Sequence, residues 1–317
     1  MKVFDFADRG QMPALGLGTW NTDPGIVGGT VRDAIRVGFR HFDCAAIYQN
    51  EVEIGQAFDA AISAGEVDRN DLWITSKLWC SEHARADVMP ALKKTLQDLR
   101  LEYLDLYLIH WPVALRSGRL FPEQASDFRT IAEVPLEETW SAMAEAQQAG
   151  LCRNIGVSNF NIPKIADLID KTSVQPAVNQ VELHPYLPQQ QLLDYCTQQG
   201  IVMTAYSPLG SSGRPEHFKQ PDEPLLIRDP VICRIARSRA MTPAQVLIAW
   251  AIERGTSVIP KSSNSERLRE NYAAAKLCLA EADIADINAI DIEHRIVNGS
   301  FWETPGSPYS VAYFWDE

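Results

Sequence analysis

Four polar side chains in the sequence could together deliver a proton to a substrate oxygen: Asp43, Tyr48, Lys77 and His110. A tyrosine beside a lysine suits a proton donor, because the ammonium favours the phenolate and brings the tyrosine pKa down from about 10 toward neutral pH. A carboxylate behind the lysine would keep the ammonium charged and oriented. A histidine can donate a hydrogen bond to a carbonyl oxygen and position it.

Each of these side chains also has a purely structural explanation when it is taken alone. His110 lies in an apolar segment, where a histidine is more often a hydrogen-bonded core residue, and Tyr48 could be an aromatic at a helix edge. Asp43 could cap a helix, and Lys77 could be a surface charge. A buried lysine or aspartate without a partner is costly, so finding all four at one face of a fold would favour a functional site.

The first element that must position these residues is a strand followed by a helix. Large apolar residues alternate with basic ones over residues 39–42 before the polarity changes at Asp43, which predicts a short buried strand with Asp43 at its carboxyl end. Asn50 is the predicted helix N-cap, with acidic residues in the first helical turn. Tyr48 is therefore predicted in the loop between strand and helix, which in a βα-repeat protein lies at the active face.

Lys77 and His110 belong to the next two predicted strands. Residues 72–76 form a strand that ends at Lys77, and residues 104–112 form the strongest apolar strand pattern, with His110 near its end. Because the carboxyl ends of barrel strands meet at one face, these side chains are expected to converge with Asp43 and Tyr48.

Strand and helix patterns alternate along the whole chain. The barrel strands are predicted at residues 15–18, 39–42, 72–76, 104–112, 154–158, 177–182, 202–206 and 257–259. This alternation predicts an α/β fold, a (β/α)8 TIM barrel with extra helices, in one domain over residues 1–317. A β-hairpin over residues 1–15 precedes the barrel. The tail over residues 296–317 lacks helical spacing but is dense in aromatics, so it is expected to fold back as a loop over the barrel mouth.

Composition narrows the class of protein. The 317 residues are 46% hydrophobic and 22% charged, as in an ordinary soluble globular protein. The net charge of −12 argues against a nucleic-acid-binding surface, which needs a basic stripe. The six cysteines include no CxxC pair, no signal peptide is recognised, and no apolar run approaches the roughly 18 residues of a membrane span. These features predict a reduced, cytoplasmic protein with no membrane partner.

A metal-dependent barrel hydrolase is a further alternative that the histidines do not favour. The six histidines show no HxH or HExxH spacing, so no metal is expected. They lie at His41, His83, His110, His184, His217 and His294.

Seven motifs make the chain resemble the aldo-keto reductase family, in its aldehyde reductase and aldose reductase branch. They are GLGTW (Gly16 to Trp20), FDCAAIYQNE (Phe42 to Glu51), TSKLW (Thr75 to Trp79), EYLDLYLIHWP (Glu102 to Pro112), GVSNF (Gly156 to Phe160), YSPLGSS (Tyr206 to Ser212) and IPKSSNSERLREN (Ile259 to Asn271). The resemblance runs almost end to end and implies that Tyr48 is the general acid, Lys77 and Asp43 are its pKa-tuning pair, and His110 orients the substrate.

The resemblance also implies a nicotinamide cofactor across the barrel mouth. Its carboxamide would be held by Ser158, Asn159 and Gln180, and its ring would stack on Tyr206. The remaining implied cofactor contacts are Thr19, Trp20, Ser207, Leu209, Ser211, Lys261, Ser262, Ser263, Asn264, Arg267 and Asn271. No GxGxxG motif follows the first strand, so a Rossmann site is not indicated.

The choice of cofactor depends on the basic segment that follows the last strand. Lys261 and Arg267 place two cations near a helix start, which suits the 2′-phosphate of NADPH. A solvated basic helix face is the structural alternative. Ser263 and Asn264 depart from the family pattern, and an asparagine near the ribose can accommodate a 2′-hydroxyl, so some use of NADH stays open.

Two further departures concern a belt that, in the family, is fastened over the cofactor by a lysine and an aspartate. This chain has Asn21 and Gly213 at the corresponding positions, so a looser belt is expected.

The implied activity is NADPH-dependent reduction of aldehydes, with aldoses and ketones left open, by a monomer that takes a small carbonyl substrate. An apolar pocket is implied for the body of the substrate. Its predicted lining is Trp20, Ile47, Tyr48, Trp79, His110, Trp111, Phe121 and Trp302. The alternative is a redox-sensing or structural protein that binds NADPH without turnover.

Overall fold

A hairpin opens the chain and covers one end of the barrel. The computed structural model describes residues 1–315, apart from the side chains of Asp8 and His217. Strands β1 (Val3–Asp5) and β2 (Gln11–Pro13) pair antiparallel. The Phe6 ring stacks on Trp73 at a centroid distance of 5.2 Å. Because Trp73 begins its own strand, the hairpin lies at the amino-terminal end of the barrel.

The barrel itself is a parallel sheet curled on itself. Further strands follow in chain order: β3 (Leu17–Gly18), β4 (His41–Asp43), β5 (Trp73–Leu78), β6 (Leu104–Ile109), β7 (Ala114–Leu115), β8 (Phe128–Arg129), β9 (Cys152–Ser158), β10 (Val178–Glu182), β11 (Val202–Tyr206) and β12 (Ser257–Val258). Within the described chain, eight of them form one sheet in the order β12-β11-β10-β9-β6-β5-β4-β3. Leu15 pairs in parallel with Val258, which joins the two ends of this sheet. The predicted (β/α)8 barrel is thus confirmed.

Helices surround the sheet. They are α1 (Val27–Val37), α2 (Glu51–Ser63), α3 (Arg85–Leu99), α4 (Leu136–Gln148), α5 (Ile162–Thr172), α6 (Gln190–Gln199), α7 (Pro230–Ser238), α8 (Pro243–Glu253), α9 (Ser265–Ala274), α10 (Glu281–Asn288) and α11 (Val311–Trp315). Their apolar faces pack on the outer faces of the strands and form the main hydrophobic core. No helix in the described part of the chain is long and apolar enough to cross a bilayer.

The structure moves several predicted boundaries by one or two residues. Asp43 is the last residue of β4, and Lys77 lies inside β5, where both side chains are buried. Asn50 stands at the N-cap position of α2, but its side chain makes no cap hydrogen bond. Instead its Nδ2 donates to the carbonyl oxygen of Thr19 at 3.0 Å. The predicted N-cap position is confirmed, but the capping bond is not made, because the bond to Thr19 holds the side chain where Oδ1 has no hydrogen-bond partner among the described residues.

The segment after β6 and the tail both contain regular structure. In the segment after β6, the short strands β7 and β8 pair antiparallel, with Ala114 opposite Arg129 and Leu115 opposite Phe128. The tail, predicted without a helix, contains the one-turn helix α11, and its residues 316 and 317 lie outside the described residues. The Tyr309 hydroxyl donates to the Arg129 carbonyl and accepts from the Ala114 amide, which joins the tail to β7 and β8.

Candidate active site

A buried ion pair lies at the carboxyl end of two neighbouring strands. Lys77 Nζ donates to Asp43 Oδ2 at 2.6 Å and to the Cys44 carbonyl oxygen at 2.9 Å. The same ammonium lies 3.4 Å from the hydroxyl of Tyr48, which follows β4 in a short 3-10 turn. The lysine side chain has no exposed surface. Lys77, which is 34 residues from Asp43 in sequence, therefore meets Asp43 and Tyr48 in one hydrogen-bonded unit.

The protonation of this unit follows from burial and charge. Burial lowers the pKa of Lys77, but the neighbouring Asp43 and Tyr48 raise it, and the net pKa lies above its usual value. The ammonium is therefore charged at neutral pH. Burial raises the pKa of Tyr48 to about 12, although Lys77 acts in the opposite direction. Lys77 thus acts on the tyrosine pKa in the direction expected from the sequence, but burial outweighs the attraction of the ammonium and the net shift is upward.

His110 stands beside the tyrosine directly after β6. Its ring lies edge-on to Tyr48 at 5.8 Å and to Trp79 at 5.1 Å between centroids. Burial, followed by the charge of Lys77, holds the pKa of His110 well below its usual value, so the imidazole is neutral. Its Nδ1 is buried and has no hydrogen-bond partner among residues 1–315. The other ring nitrogen, Nε2, is not among these buried atoms, so it is the nitrogen that could hydrogen-bond to a substrate.

Gln180 connects the ion pair to the neighbouring strands. Its Nε2 donates to Asp43 Oδ1 at 2.7 Å, so both oxygens of this carboxylate have donors. The Ser158 hydroxyl donates to the Gln180 carbonyl oxygen at 2.8 Å. No local sequence pattern predicts the bond between Gln180 and Asp43, which are 137 residues apart.

A second polar chain runs through Asn159. Its Nδ2 donates to the carbonyl oxygen of His110 at 2.9 Å, and its Oδ1 accepts from the Tyr206 hydroxyl at 2.8 Å. Asn159 has a left-handed backbone with a φ of 62°, which asparagine tolerates better than most residues. Of the side chains predicted to hold a carboxamide, Gln180 is thus bonded to Asp43, and Asn159 is bonded to the carbonyl oxygen of His110.

The loop after β11 turns back on itself beside Tyr206. Ser207 and Ser211 have φ values of 51° and 43°, and their hydroxyls hydrogen-bond to each other at 2.7 Å. Across the barrel mouth, Asn21 Nδ2 donates to the carbonyl oxygen of Gly213 at 3.2 Å. The two positions that depart from the family pattern therefore still connect the two loops, through a neutral hydrogen bond.

The segment that starts α9 carries two unpaired cations. No hydrogen bond or ion pair among the described residues engages the ammonium of Lys261 or the guanidinium of Arg267. Partial burial lowers the pKa of Lys261, whereas the charge of Asp23 acts to raise it. Asn264 Oδ1 accepts from the backbone amides of Glu266 and Arg267, so it caps the helix. Ser262 and Asn271 are buried nearby, and Ser263 is exposed.

An aromatic cluster lies beside His110. Trp302 has no exposed surface and stands between Trp79, at 5.7 Å, and Phe121, at 6.4 Å between centroids. Trp111 contacts Trp302 at 6.1 Å. The other predicted pocket residues are Ile47, packed against this cluster, and Trp20, which is 38% exposed. Phe121 is 49% exposed, so one side of the cleft is apolar and open to solvent.

Glu51, the first residue of α2, is a buried acid near Lys77. The hydroxyl of Ser76, the residue before Lys77, donates to Glu51 Oε1 at 2.5 Å. Burial raises the pKa of Glu51 to about 7, although hydrogen bonds from Ser76 and Thr95 lower it. The folded protein therefore holds this proton more tightly than the unfolded chain does.

This shift predicts that replacing Glu51 with Gln changes the pH dependence of stability. A raised acid pKa means that the folded state binds more protons than the unfolded state between pH 4.5 and 7, so the wild type loses stability as pH rises through that window. Glu51→Gln should abolish this loss, which amounts to at most about 3 kcal/mol. Urea unfolding of both proteins at several pH values measures it. Parallel curves for the two proteins would contradict the assignment.

The comparisons with known proteins agree with this geometry. The model of the aldo/keto reductase family matches residues 14–292. An aldo/keto reductase of Synechocystis sp. is 51% identical over 317 residues, covering 100% of this chain and 97% of that protein. The Bos taurus protein named aldo-keto reductase family 1 member A1 is 44% identical over 289 residues, covering 90% of this chain and 88% of its own length.

A solved structure extends the agreement to three dimensions. The aldose reductase from Schistosoma japonicum superimposes with a TM-score of 0.87 at 35% sequence identity, over 98% of this chain and 99% of that one. The resemblance inferred from the seven motifs is confirmed, and the chain belongs to the aldo/keto reductase family.

Proposed function

We propose that the protein reduces aldehydes to alcohols with NADPH and that Tyr48 is the proton donor. The observation that carries this proposal is the Lys77 ammonium, which lies 2.6 Å from Asp43 Oδ2 and 3.4 Å from the Tyr48 hydroxyl at the base of an aromatic cleft. Membership of an oxidoreductase family agrees with it.

The donor set fits a dinucleotide that carries a 2′-phosphate. Lys261 and Arg267 lie at the start of a helix, where a phosphate is favoured by charge and by the helix dipole, and no hydrogen bond or ion pair within the described residues engages their side chains. The loop at Ser207 and Ser211 presents hydroxyls on a tightly turned backbone. Tyr206 offers an aromatic ring at the end of β11, and Gln180 reaches the same region. These residues would hold the cofactor across the barrel mouth.

The chain's own residues provide orientation and the proton. When bound, the reduced nicotinamide supplies a hydride to the carbonyl carbon. Tyr48 keeps its phenolic proton at neutral pH and is placed to donate it to the carbonyl oxygen as negative charge develops there. Lys77 then stabilises the tyrosinate, and neutral His110 donates a hydrogen bond that fixes the carbonyl. Because these groups are already in place, little reorganisation is needed during the reaction.

The aromatic cleft indicates the class of substrate. Trp79, Trp111 and Trp302 offer apolar contact area close to His110. Aldehydes with apolar or aromatic bodies are therefore the proposed substrates. An aldose would place several hydroxyl groups against this apolar lining without hydrogen-bond partners.

Steady-state kinetics with NADPH and NADH over a panel of aldehydes test the proposal. The wild type should consume NADPH only when an aldehyde is present and should prefer NADPH to NADH. Arg267→Ala should raise the KM for NADPH about tenfold, because a charge-assisted hydrogen bond is lost, and should leave the KM for NADH unchanged. Arg269→Ala on the same exposed helix is the matched control.

Three outcomes would contradict the proposal. NADPH binding without turnover of any aldehyde would point to the redox-sensing or structural alternative. Equal kcat/KM with both cofactors would refute the cofactor preference. An equal effect of Arg267→Ala and Arg269→Ala would remove Arg267 from the phosphate site.

A further inference from the structure

We propose that Glu182 is a positioning residue that holds the tail over the substrate cleft and thereby sets the preference for bulky aldehydes. The effect on substrate preference rests on the proposed function, because the cleft is the proposed substrate site. The contact itself can be tested without turnover.

Glu182 is the last residue of β10 and has no exposed surface. The backbone amide of Ile296 donates to its Oε1 at 2.7 Å, and that of Val297 donates to its Oε2 at 2.7 Å. His184 Nε2 lies 2.8 Å from Oε1 and must carry the proton there, since a carboxylate only accepts. Both carboxylate oxygens are therefore committed to consecutive amides of the tail.

The charge of this carboxylate makes the attachment strong. Burial alone would raise the pKa of Glu182, but the hydrogen bond and charge of His184 and the two tail amides lower it below its usual value. Hydrogen bonds to an ionised acceptor are roughly twice as strong as neutral ones. If the tail moved away, a buried carboxylate would lose two of its donors, which is costly.

Three other contacts that join the tail and the residues just before it to the barrel use neutral acceptors. The His294 amide donates to the Tyr186 carbonyl oxygen at 2.9 Å, and the Tyr309 hydroxyl donates to the Arg129 carbonyl oxygen. Lys164 Nζ donates to the carbonyl oxygen of Tyr313. Glu182 differs from these in supplying a buried charged acceptor to two consecutive amides.

A short segment links the two amides held by Glu182 to the aromatic cleft. Five residues after Val297, Trp302 packs 5.7 Å from Trp79, which lies 5.1 Å from His110. Gly299 makes the turn between them with a φ of 83°, and the Trp302 amide donates to its carbonyl oxygen at 2.9 Å. The position of the Trp302 ring in the cleft therefore depends on the two amides that Glu182 holds.

The test replaces Glu182 with Gln, which keeps the size of the side chain but removes its charge and one acceptor. The KM for a large aromatic aldehyde should rise about tenfold, while kcat and the KM for a short aliphatic aldehyde change less than about twofold. Hydrogen exchange at the Ile296 and Val297 amides should accelerate, with the barrel strands unchanged. Asp105→Asn is the control, because Asp105 is a buried acid that accepts from the Ile74 amide near the start of β5.

A second variant acts from the tail side in case Glu182→Gln does not fold. Val297→Pro removes the amide that reaches Oε2 and leaves every barrel residue in place. It should reproduce the rise in KM for the large aldehyde. The proposal would be overturned if folded variants showed unchanged hydrogen exchange at the tail amides and an unchanged ratio of the KM values for the large and short aldehydes. It would also be overturned if Asp105→Asn changed that exchange and that ratio equally. If the wild type turned over no aldehyde, the proposed function would fail, and the exchange data would still decide whether Glu182 holds the tail.

Discussion

Replacing Tyr48 with Phe is expected to lower kcat/KM for aldehyde reduction by about a thousandfold, within the range that a positioned general acid contributes. The variant loses only the hydroxyl, which lies 3.4 Å from Lys77 Nζ and carries the proton proposed to reach the substrate oxygen. The ring remains beside His110, so the shape of the cleft is retained. Comparative kinetics with one good aldehyde measure the change.

Cofactor binding provides the control for this variant. The affinity for NADPH, followed by protein fluorescence, should match that of the wild type. A Tyr48→Phe enzyme that retained wild-type turnover would show that the proton comes from another group. Loss of NADPH binding would show that the substitution disturbs more than the proton transfer.

Replacing Lys77 with Met is expected to lower the free energy of unfolding by about 3 to 5 kcal/mol, the cost of breaking a buried ion pair on one side. The substitution leaves the Asp43 carboxylate buried with Gln180 as its remaining side-chain donor. It also removes the charge that would stabilise the tyrosinate of Tyr48, so turnover should fall by about a hundredfold or more. Urea unfolding and kinetics report the two effects separately.

A double variant separates the ion pair from simple packing. Asp43→Asn combined with Lys77→Met removes both charges, so it should recover part of the stability lost in the single variants while remaining inactive. Destabilisation that is additive in the double variant would contradict direct coupling between the two charges. Recovered activity in the double variant would contradict the role of the ammonium in the reaction.

The sequence by itself determined the barrel and which polar residues lie near the carboxyl ends of its strands. Strand and helix periodicities are local properties, so alternation along the chain predicted β4, β5 and β6 and placed Asp43, Lys77 and His110 near their carboxyl ends. Parallel strands with helical connections have few possible arrangements, and in a barrel the carboxyl ends of all the strands meet at one face. The chemical roles came from the family motifs and remain predictions.

The tertiary structure decided the contacts that join distant segments and the charge states that depend on burial. The amide of Gln180 reaches Asp43, and the amide of Asn21 reaches Gly213, because barrel closure brings their strands and loops together. The pKa of Tyr48 rises to about 12 because burial exceeds the effect of a lysine that the sequence had correctly placed nearby. Such outcomes depend on the sum of many surrounding atoms, and neighbours in sequence supply only a few of them.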